Sequence, residues 1–349
     1  MKVLSGAAMR EADRVTIEEF GLPGSVLMEN AAMRVSEFVM SKLTHVKKIV
    51  ILAGPGNNGG DGIAVARQLS QAGYSIDLWS TQKAGAYRNE AALNEKFYLK
   101  SGRLIKRISS SDDLQAFGED LDKADLLIDA LLGTGADRPM DALTAGLIDR
   151  ANSAGLPVIA LDIPSGVNAD SGEILGSAVR ADWTLTFAFP KKGLFVYPGA
   201  ANTGDIYICD IHIPAAIADD EKLELLTAAA IKDRLPARPV DAHKGSLGKV
   251  LLVAGSPGMT GAACLAAESA LKGGAGLVYL AAPASICAAL ETKLTEVIVI
   301  ALPEEKPGEI SASAADEIVD SARNCQVLCI GPGLATGEEG TELLNKLIH

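Results

Sequence analysis

Two apolar rhythms alternate along this chain. Short continuous runs rich in Val, Ile and Leu are separated by longer stretches in which apolar residues recur every three to four positions. Continuous runs of this kind mark strands buried on both faces, and the longer spacing marks helices with one buried stripe. The runs at residues 49–53, 75–80, 103–108, 125–132, 157–162, 182–188 and 205–211 predict strands. The spacing predicts helices over 5–20, 24–43, 63–71, 86–101, 111–117 and 142–153. Alternation of buried strand and helix from 49 to 162 predicts a parallel, doubly wound α/β sheet with helix layers on both faces.

The rhythm lapses at 214–240, an Ala/Asp/Glu-rich segment ending in PARPV, and then resumes. Strands are predicted at 249–254, 277–281, 295–302 and 326–330, with helices at 262–272 and 338–348. The expected organisation is a first domain over 1–215, a linker over 216–240 and a second α/β domain over 241–349.

Composition narrows the partners. Across 349 residues, hydrophobic types make up 48% and aromatics 4%, with 35 glycines. This is the balance of an α/β protein with many tight turns. A formal net charge of −12 argues against nucleic acid as a partner. It leaves room for a small anion held by loop amides. No apolar run reaches membrane length and no signal peptide is evident. The five cysteines are scattered and mostly lie in apolar runs, as expected of free thiols in a reducing, cytoplasmic setting. A homo-oligomer is left open.

The chain is organised around GPGNNGGDG, residues 54–62, between the first strand and the helix predicted to follow it. Such a turn aims free N–H groups and a positive helix end at an anion. Asp61 is expected at the helix N-cap. The pattern is neither a dinucleotide fingerprint nor a P-loop. It reads as a tight capped turn or as a ligand loop, and five glycines with two asparagines favour the ligand loop. Two more loops should open at the same end of the sheet: GTGADRP at 133–139 and DIPSGVNADSG at 162–172. Asp129, inside an apolar strand, needs a partner, either a buried basic residue or a cation. Asp162 is either a turn residue or a group facing the crevice. Lys191 and Lys192 form either a solvated turn or a partner for an anionic substrate. Glu29 and Asn30, which interrupt a helix face, suit a structural or a site role equally.

GPGNNGGDG, LLGTG and LDIPSGVNADSG, in this order and spacing, closely resemble the N-terminal domain of the NAD(P)H-hydrate epimerases. HKGSLGKVLLVAGSPGMTGAACLAAESALKGGAGLV resembles the ADP-dependent NAD(P)H-hydrate dehydratases. Together they resemble the bifunctional nicotinamide-nucleotide repair enzymes. The resemblance implies a three-layer Rossmann-like epimerase domain followed by a partial ribokinase-like domain. It implies that Asn57, Asn58, Gly59, Gly60, Asp61, Gly133, Thr134, Gly135, Ala136, Asp137, Arg138, Pro139 and Asp162 contact the hydrated dinucleotide. Asn58, Asp129 and Ser165 would bind potassium, and Ala262 and Gly333 would touch the hydrate in the second domain. ADP or ATP would serve the dehydratase. The family's later Gly-rich nucleotide stretch and Gly-Asp pair do not follow Gly333. The expectation is therefore a front portion of the dehydratase without dehydration activity.

Inverting C6 of the hydrate requires its C–O bond to break and re-form, through an iminium stabilised by the ring nitrogen. Asp162 is the expected catalytic carboxylate, as proton carrier and as counter-charge. The two Gly-rich loops and Lys192 would hold the pyrophosphate. A binding module without catalysis is the rival. A hydrolase built on Ser165 is a weaker one, because IPSG lacks the Gly-x-Ser-x-Gly elbow.

Overall fold

Val50 and Leu52 pack on one side of their strand while Ile49, Ile51 and Ala53 pack on the other, and all five are buried. This period-two split between two apolar clusters makes the strand the centre of a three-layer sandwich. The computed structural model describes residues 1–235 and 237–348. It divides into two compact units, Met1–Arg234 and Leu235–His349.

The first unit holds seven strands: β1 (Lys48–Ala53), β2 (Ser75–Ser80), β3 (Ile105–Arg107), β4 (Leu126–Ala130), β5 (Val158–Leu161), β6 (Trp183–Phe187) and β7 (Asp205–Cys209). All pair in parallel, in the order β3-β2-β1-β4-β5-β6-β7. Helices α1 (Gly6–Glu18), α2 (Gly24–Lys42), α3 (Asn57–Gln71) and α4 (Asn89–Lys100) contribute to the cluster on one face. α5 (Asp113–Leu121) and α6 (Ala142–Ser153) contribute to the other. Strand order reverses beside β1, between β2 and β4. That switch point opens a crevice at the carboxyl ends of the strands.

α3 begins at Asn57, six residues before the position the apolar spacing indicates, with Gly56 as its N-cap. Asp61 is therefore a residue of the helix and not its cap. The early start depends on glycine. A Cβ at Gly59 would meet the carbonyl oxygen of Gly54, and one at Gly60 would come within 2.7 Å of Ala91 and Met28. With those hydrogens in place the helix begins directly on the loop.

The first unit extends past the seventh strand. Val3 donates its N–H to the Leu223 carbonyl (3.0 Å) and Leu225 donates to that of Met1 (2.8 Å). The short helix α7 (Ala228–Lys232) is capped by Thr227. Residues 237–241 are exposed. Limited proteolysis is expected to cut first between 237 and 241, since exposed backbone outside helix and strand is the preferred substrate. First cleavage within 216–226, which the N-terminal residues pair with, would show that this pairing is weak.

The second unit has a parallel sheet in the order β10-β9-β8-β13. Its strands are β8 (Lys249–Val253), β9 (Leu277–Pro283), β10 (Ile298–Leu302) and β13 (Val327–Ile330), with a small hairpin of β11 (Glu304–Lys306) and β12 (Glu309–Ile310). Helices α8 (Thr260–Lys272), α9 (Cys287–Lys293), α10 (Ala315–Ala322) and α11 (Glu338–Ile348) cover it. The hairpin, α9 and α10 lie outside the elements predicted from the apolar spacing.

Candidate functional site

A cavity of about 1330 Å³ lies in the first unit at the carboxyl ends of the strands. Its walls come from the loop after β1 with the start of α3, the loop after β4, the residues after β5 and β6, and one face of α1. Asn57, Asn58, Asp61, Asp162 and every residue from Gly133 to Pro139 line it.

The glycines of 54–62 serve packing more than the ligand. A Cβ at Gly54 would strike the Leu131 carbonyl, and one at Gly62 would lie 2.6 Å from the Ala130 Cβ. With Gly59 and Gly60, four of the five are required by close approach, Gly54 between the ends of β1 and β4 and the others between α3 and its neighbours. Gly59 and Gly60 are buried beneath the wall. Gly56 alone of the five has open space where its Cβ would be. The loop does line the cavity, yet the glycine count is not what shows it.

Beneath this wall sits a knot of oxygens. Asp129 is 1% exposed and Ser165 is sealed. Asp129 Oδ1 accepts from the Ser165 hydroxyl (2.6 Å) and the Leu131 N–H (3.1 Å), and Oδ2 accepts from the Ser165 N–H (2.8 Å). Burial pushes the Asp129 carboxyl up to about 6, against the bonds from Ser165 and Leu131 that lower it. Among the described residues no Lys or Arg pairs with it. The buried-basic-partner alternative is thereby excluded within those residues. Asn58 donates through Nδ2 to the Leu132 carbonyl (2.8 Å), which leaves its buried Oδ1 without a partner. The Leu132 carbonyl links Asn58 to Ser165, accepting from the Asn58 amide and from the Ser165 hydroxyl (3.3 Å). The unpartnered amide oxygen, the carboxylate and the hydroxyl are oxygen donors of the kind suited to a hard monovalent cation.

The chemistry-bearing end holds three carboxylates and one ammonium. Asp162 sits in the left-handed region with φ +66°, a costly conformation for a residue with a Cβ. Its N–H donates to the Leu185 carbonyl (2.8 Å). Its Oδ1 accepts from the fully buried Lys191 ammonium, from the Phe187 N–H (3.0 Å) and from the Thr186 hydroxyl (3.3 Å). Lys191 also donates to Thr186 Oγ1 (3.1 Å) and the Phe187 carbonyl (3.0 Å). Asp61 and Asp13 complete the group. Burial, then the charges of Asp162 and Asp13, push the Asp61 carboxyl well above the usual range, with Lys191 opposing. Burial, then the charge of Asp162, push Asp13 up to about 6.

Ala262 and Gly333, in the second unit, are brought together. A Cβ at Gly333 would lie 3.1 Å from that of Ala262, and Ser256 donates to the Gly333 carbonyl (2.8 Å). Ser165 is closed off as a nucleophile by its bonds to Asp129 and to the Leu132 N–H (2.7 Å). Glu29 is bound to Arg67 and Gln68, and Asn30 to the Ile211 carbonyl, so both take the structural role. Of the adjacent lysines, Lys191 lines the cavity and Lys192 stands exposed in a short turn.

The family pattern described as YjeF-related protein N-terminus matches residues 24–193, and that of NAD(P)H-hydrate dehydratase matches 250–349. The chain is 39% identical to the bifunctional NAD(P)H-hydrate repair enzyme of Moorella thermoacetica, over 100% of this chain and 67% of that one. It belongs to the bifunctional NAD(P)H-hydrate repair enzyme family. The relative from Thermofilum pendens is 35% identical over 99% of this chain and 66% of its own length. This family member thus spans about two thirds of the length of the curated relatives it matches. An NAD(P)H-hydrate epimerase of Limosilactobacillus fermentum is 36% identical over 60% of the chain and 96% of that protein. The crystal structure of the yeast protein ynu0 aligns with TM-score 0.53 at 22% identity, over 65% of this chain and 96% of that one, and shares the fold.

Two charged residues of this cavity are only weakly marked in the sequence. Asp13 lies on a helix that otherwise reads as an ordinary amphipathic surface element. Its signal is an aspartate at the centre of the inner stripe Met9, Asp13, Ile17, at i, i+4 and i+8. Lys191 carries none that separates it from Lys192, because which of two adjacent side chains turns inward is decided by the loop that holds them.

Proposed function

We propose that the first unit interconverts the R and S forms of hydrated NADH and NADPH. The observation that carries this is the cavity itself. It is large enough for a dinucleotide, with a helix N-terminus and the 133–139 loop along it and a carboxylate cluster at one end. A bound hydrate would lay its pyrophosphate along the amides of Asn57 and residues 133–139. Its reduced ring would then meet Asp162. That carboxylate, held by three donors, is poised as the counter-charge to the iminium formed when the C6 hydroxyl departs. Substrate contacts are proposed for Asn57, Asn58, Asp61, Gly133 to Pro139 and Asp162. For the second unit we propose that Ala262 and Gly333 form part of the hydrate site of an ADP- or ATP-dependent dehydratase.

Asn58, Asp129 and Ser165 fit potassium, and the unpartnered Asn58 Oδ1 is what supports it. The ion would supply a fixed positive centre under the loops, and these residues would hold it there. No helix among the described residues is long and apolar enough to cross a membrane. The five free cysteines suit a reducing, cytoplasmic compartment.

The test is conversion of R-hydrate to S-hydrate by the purified chain, in potassium and in a large organic cation. Turnover is expected in both, faster in potassium, with a higher melting temperature there as expected of a ligand that binds the folded state. Binding of the dinucleotide without conversion would favour the non-catalytic module instead.

A further inference from the structure

The epimerisation proposed above needs a proton on the departing hydroxyl, and Asp162 is engaged as an acceptor. Its Oδ1 already receives the Lys191 ammonium, the Phe187 N–H and the Thr186 hydroxyl. The lining carboxyls whose titration the Asp162 charge raises are Asp61 and Asp13.

Asp13 comes from α1, outside the segment that the epimerase family pattern covers. The helix is pinned over the site by its own N-terminus. Leu4 donates to the Pro190 carbonyl (3.0 Å), next to Lys191, and Gly6 donates to Asp170 Oδ1 (2.6 Å). The Ser5 hydroxyl caps the first turn by accepting from the Ala8 N–H (3.1 Å). A Cβ on Gly6 would lie 2.9 Å from the Thr134 carbonyl, so α1 starts directly against the 133–139 loop. With that start fixed, Met9, Asp13 and Ile17 fall on one face and line the cavity. Among the described residues no hydrogen-bond donor or cation pairs with Asp13, although it is half-buried. A carboxylate on the inner stripe of a helix, between two apolar residues and unpaired, gives the fold nothing that Asn or Leu would not give better.

We propose that Asp13 is the general acid of the epimerase site, delivering the proton to the hydroxyl that leaves C6 of the hydrated nicotinamide ring. This rests on the epimerase function proposed above. The C6–O bond breaks with its electron pair on oxygen, which takes the Asp13 proton and departs as water. The lone pair of the ring nitrogen completes a C=N⁺ bond, and Asp162 faces the resulting cation. Water then adds to C6 from either face of the planar ring, and its surplus proton returns to the Asp13 carboxylate. No electrons are exchanged with any other group.

The charges facing Asp13 are Asp61 from α3, Asp162 beyond β5 and Lys191 beyond β6, with Arg10 on its own helix and Glu90 beside Ile17. Lys191 is matched by Asp162, so the surplus at this end is acidic and favours a retained proton. Burial and the Asp162 charge place the Asp13 carboxyl at about 6, close to the working range of a general acid near neutrality. Burial and the charges of Asp162 and Asp13 raise the Asp61 carboxyl as well. The docking of α1 sets Asp13 on the face that lines the cavity, and the Asp61→Asn arm of the experiment separates the two.

The experiment compares the wild-type chain with Asp13→Asn and Asp61→Asn. Wild-type kcat/KM should fall with rising pH above about 6, where the acid is lost. Asp13→Asn should lower turnover by about 10²-fold or more and abolish that alkaline fall, while dinucleotide affinity stays within about threefold. Its fold should not suffer. The carboxyl sits above its usual 3.8 in the folded state. Below that value both folded and unfolded forms are protonated, and as pH rises through about 6 the unfolded form ionises first and stability is lost. Asp13→Asn should therefore melt higher than wild type at pH 8, with the gain vanishing near pH 4. A purely structural aspartate would change the melting curve and leave the pH–rate profile alone. Turnover of Asp13→Asn within about threefold of wild type, or an unchanged alkaline fall, overturns the assignment, and the same result with Asp61→Asn inactive transfers the role to Asp61. A wild-type chain that binds the dinucleotide and leaves the R-hydrate unconverted overturns the epimerase function itself.

Discussion

Asp162→Asn is expected to lower epimerase turnover by about 10²-fold or more and to destabilise the fold as well. Both effects have one origin. Lys191 is fully buried, and Asp162 is the only carboxylate among the described residues within ion-pairing distance of its ammonium. Removing one partner of such a pair leaves an uncompensated buried charge, at a cost of about 3–5 kcal/mol. Replacing the carboxylate also removes the counter-charge from the place where the iminium would form. The two consequences separate in a double variant. Asp162→Asn with Lys191→Met removes both charges, so the melting temperature should recover most of what the single change lost while turnover stays low. Near-normal turnover in Asp162→Asn would show that the carboxylate is structural. Recovery of turnover with stability in the double variant would show that the kinetic loss was merely a folding defect.

The sheet was legible because its strands are buried on both faces. Runs such as IVILA at 49–53 and VIAL within 157–162 leave no other solution in a chain this rich in glycine turns. The switch point then places the three loops at one crevice without further information. Side-chain direction was not legible. Nothing in GPGNNGGDG distinguishes a glycine that admits a ligand from one that admits a neighbouring carbonyl, and four of the five admit protein. Asp61 looks like a cap by its place before IAVARQL. It is displaced into the helix because Gly59 and Gly60 let the helix begin earlier. Asp162 was singled out correctly as lying on the crevice, but its three donors, which bias it towards charge stabilisation, come from residues 186, 187 and 191, on the next strand and its loop. Asp13 needs the α1 docking contacts at Pro190 and Asp170 before its position means anything.

The glycines of the crevice allow a sharp test of which contacts build it. Gly54→Ala should be the most damaging single methyl in the first unit. The new Cβ would collide with the Leu131 carbonyl and crowd the Leu131 Cα at 3.1 Å, both of them backbone. Neither can rotate away as a side chain could, so β1 and β4 must separate at their carboxyl ends. Overpacking of this kind costs about 3 kcal/mol or more when the obstacle cannot yield. For a unit of this size that is a melting temperature lower by about 6–12 °C. Gly59→Ala meets the Gly54 carbonyl and should fall in the same range. Gly56→Ala is the control. Its φ is −92°, its Cβ would face open space, and its place on the cavity wall predicts unchanged melting with weaker dinucleotide binding. The pattern across the three variants is what matters. Equal destabilisation by all of them would mean that the loop tolerates no side chain for a reason other than close approach. A stable Gly54→Ala would mean that the β1 and β4 loops have room to part, and the cavity between them would then be wider in solution than these contacts allow.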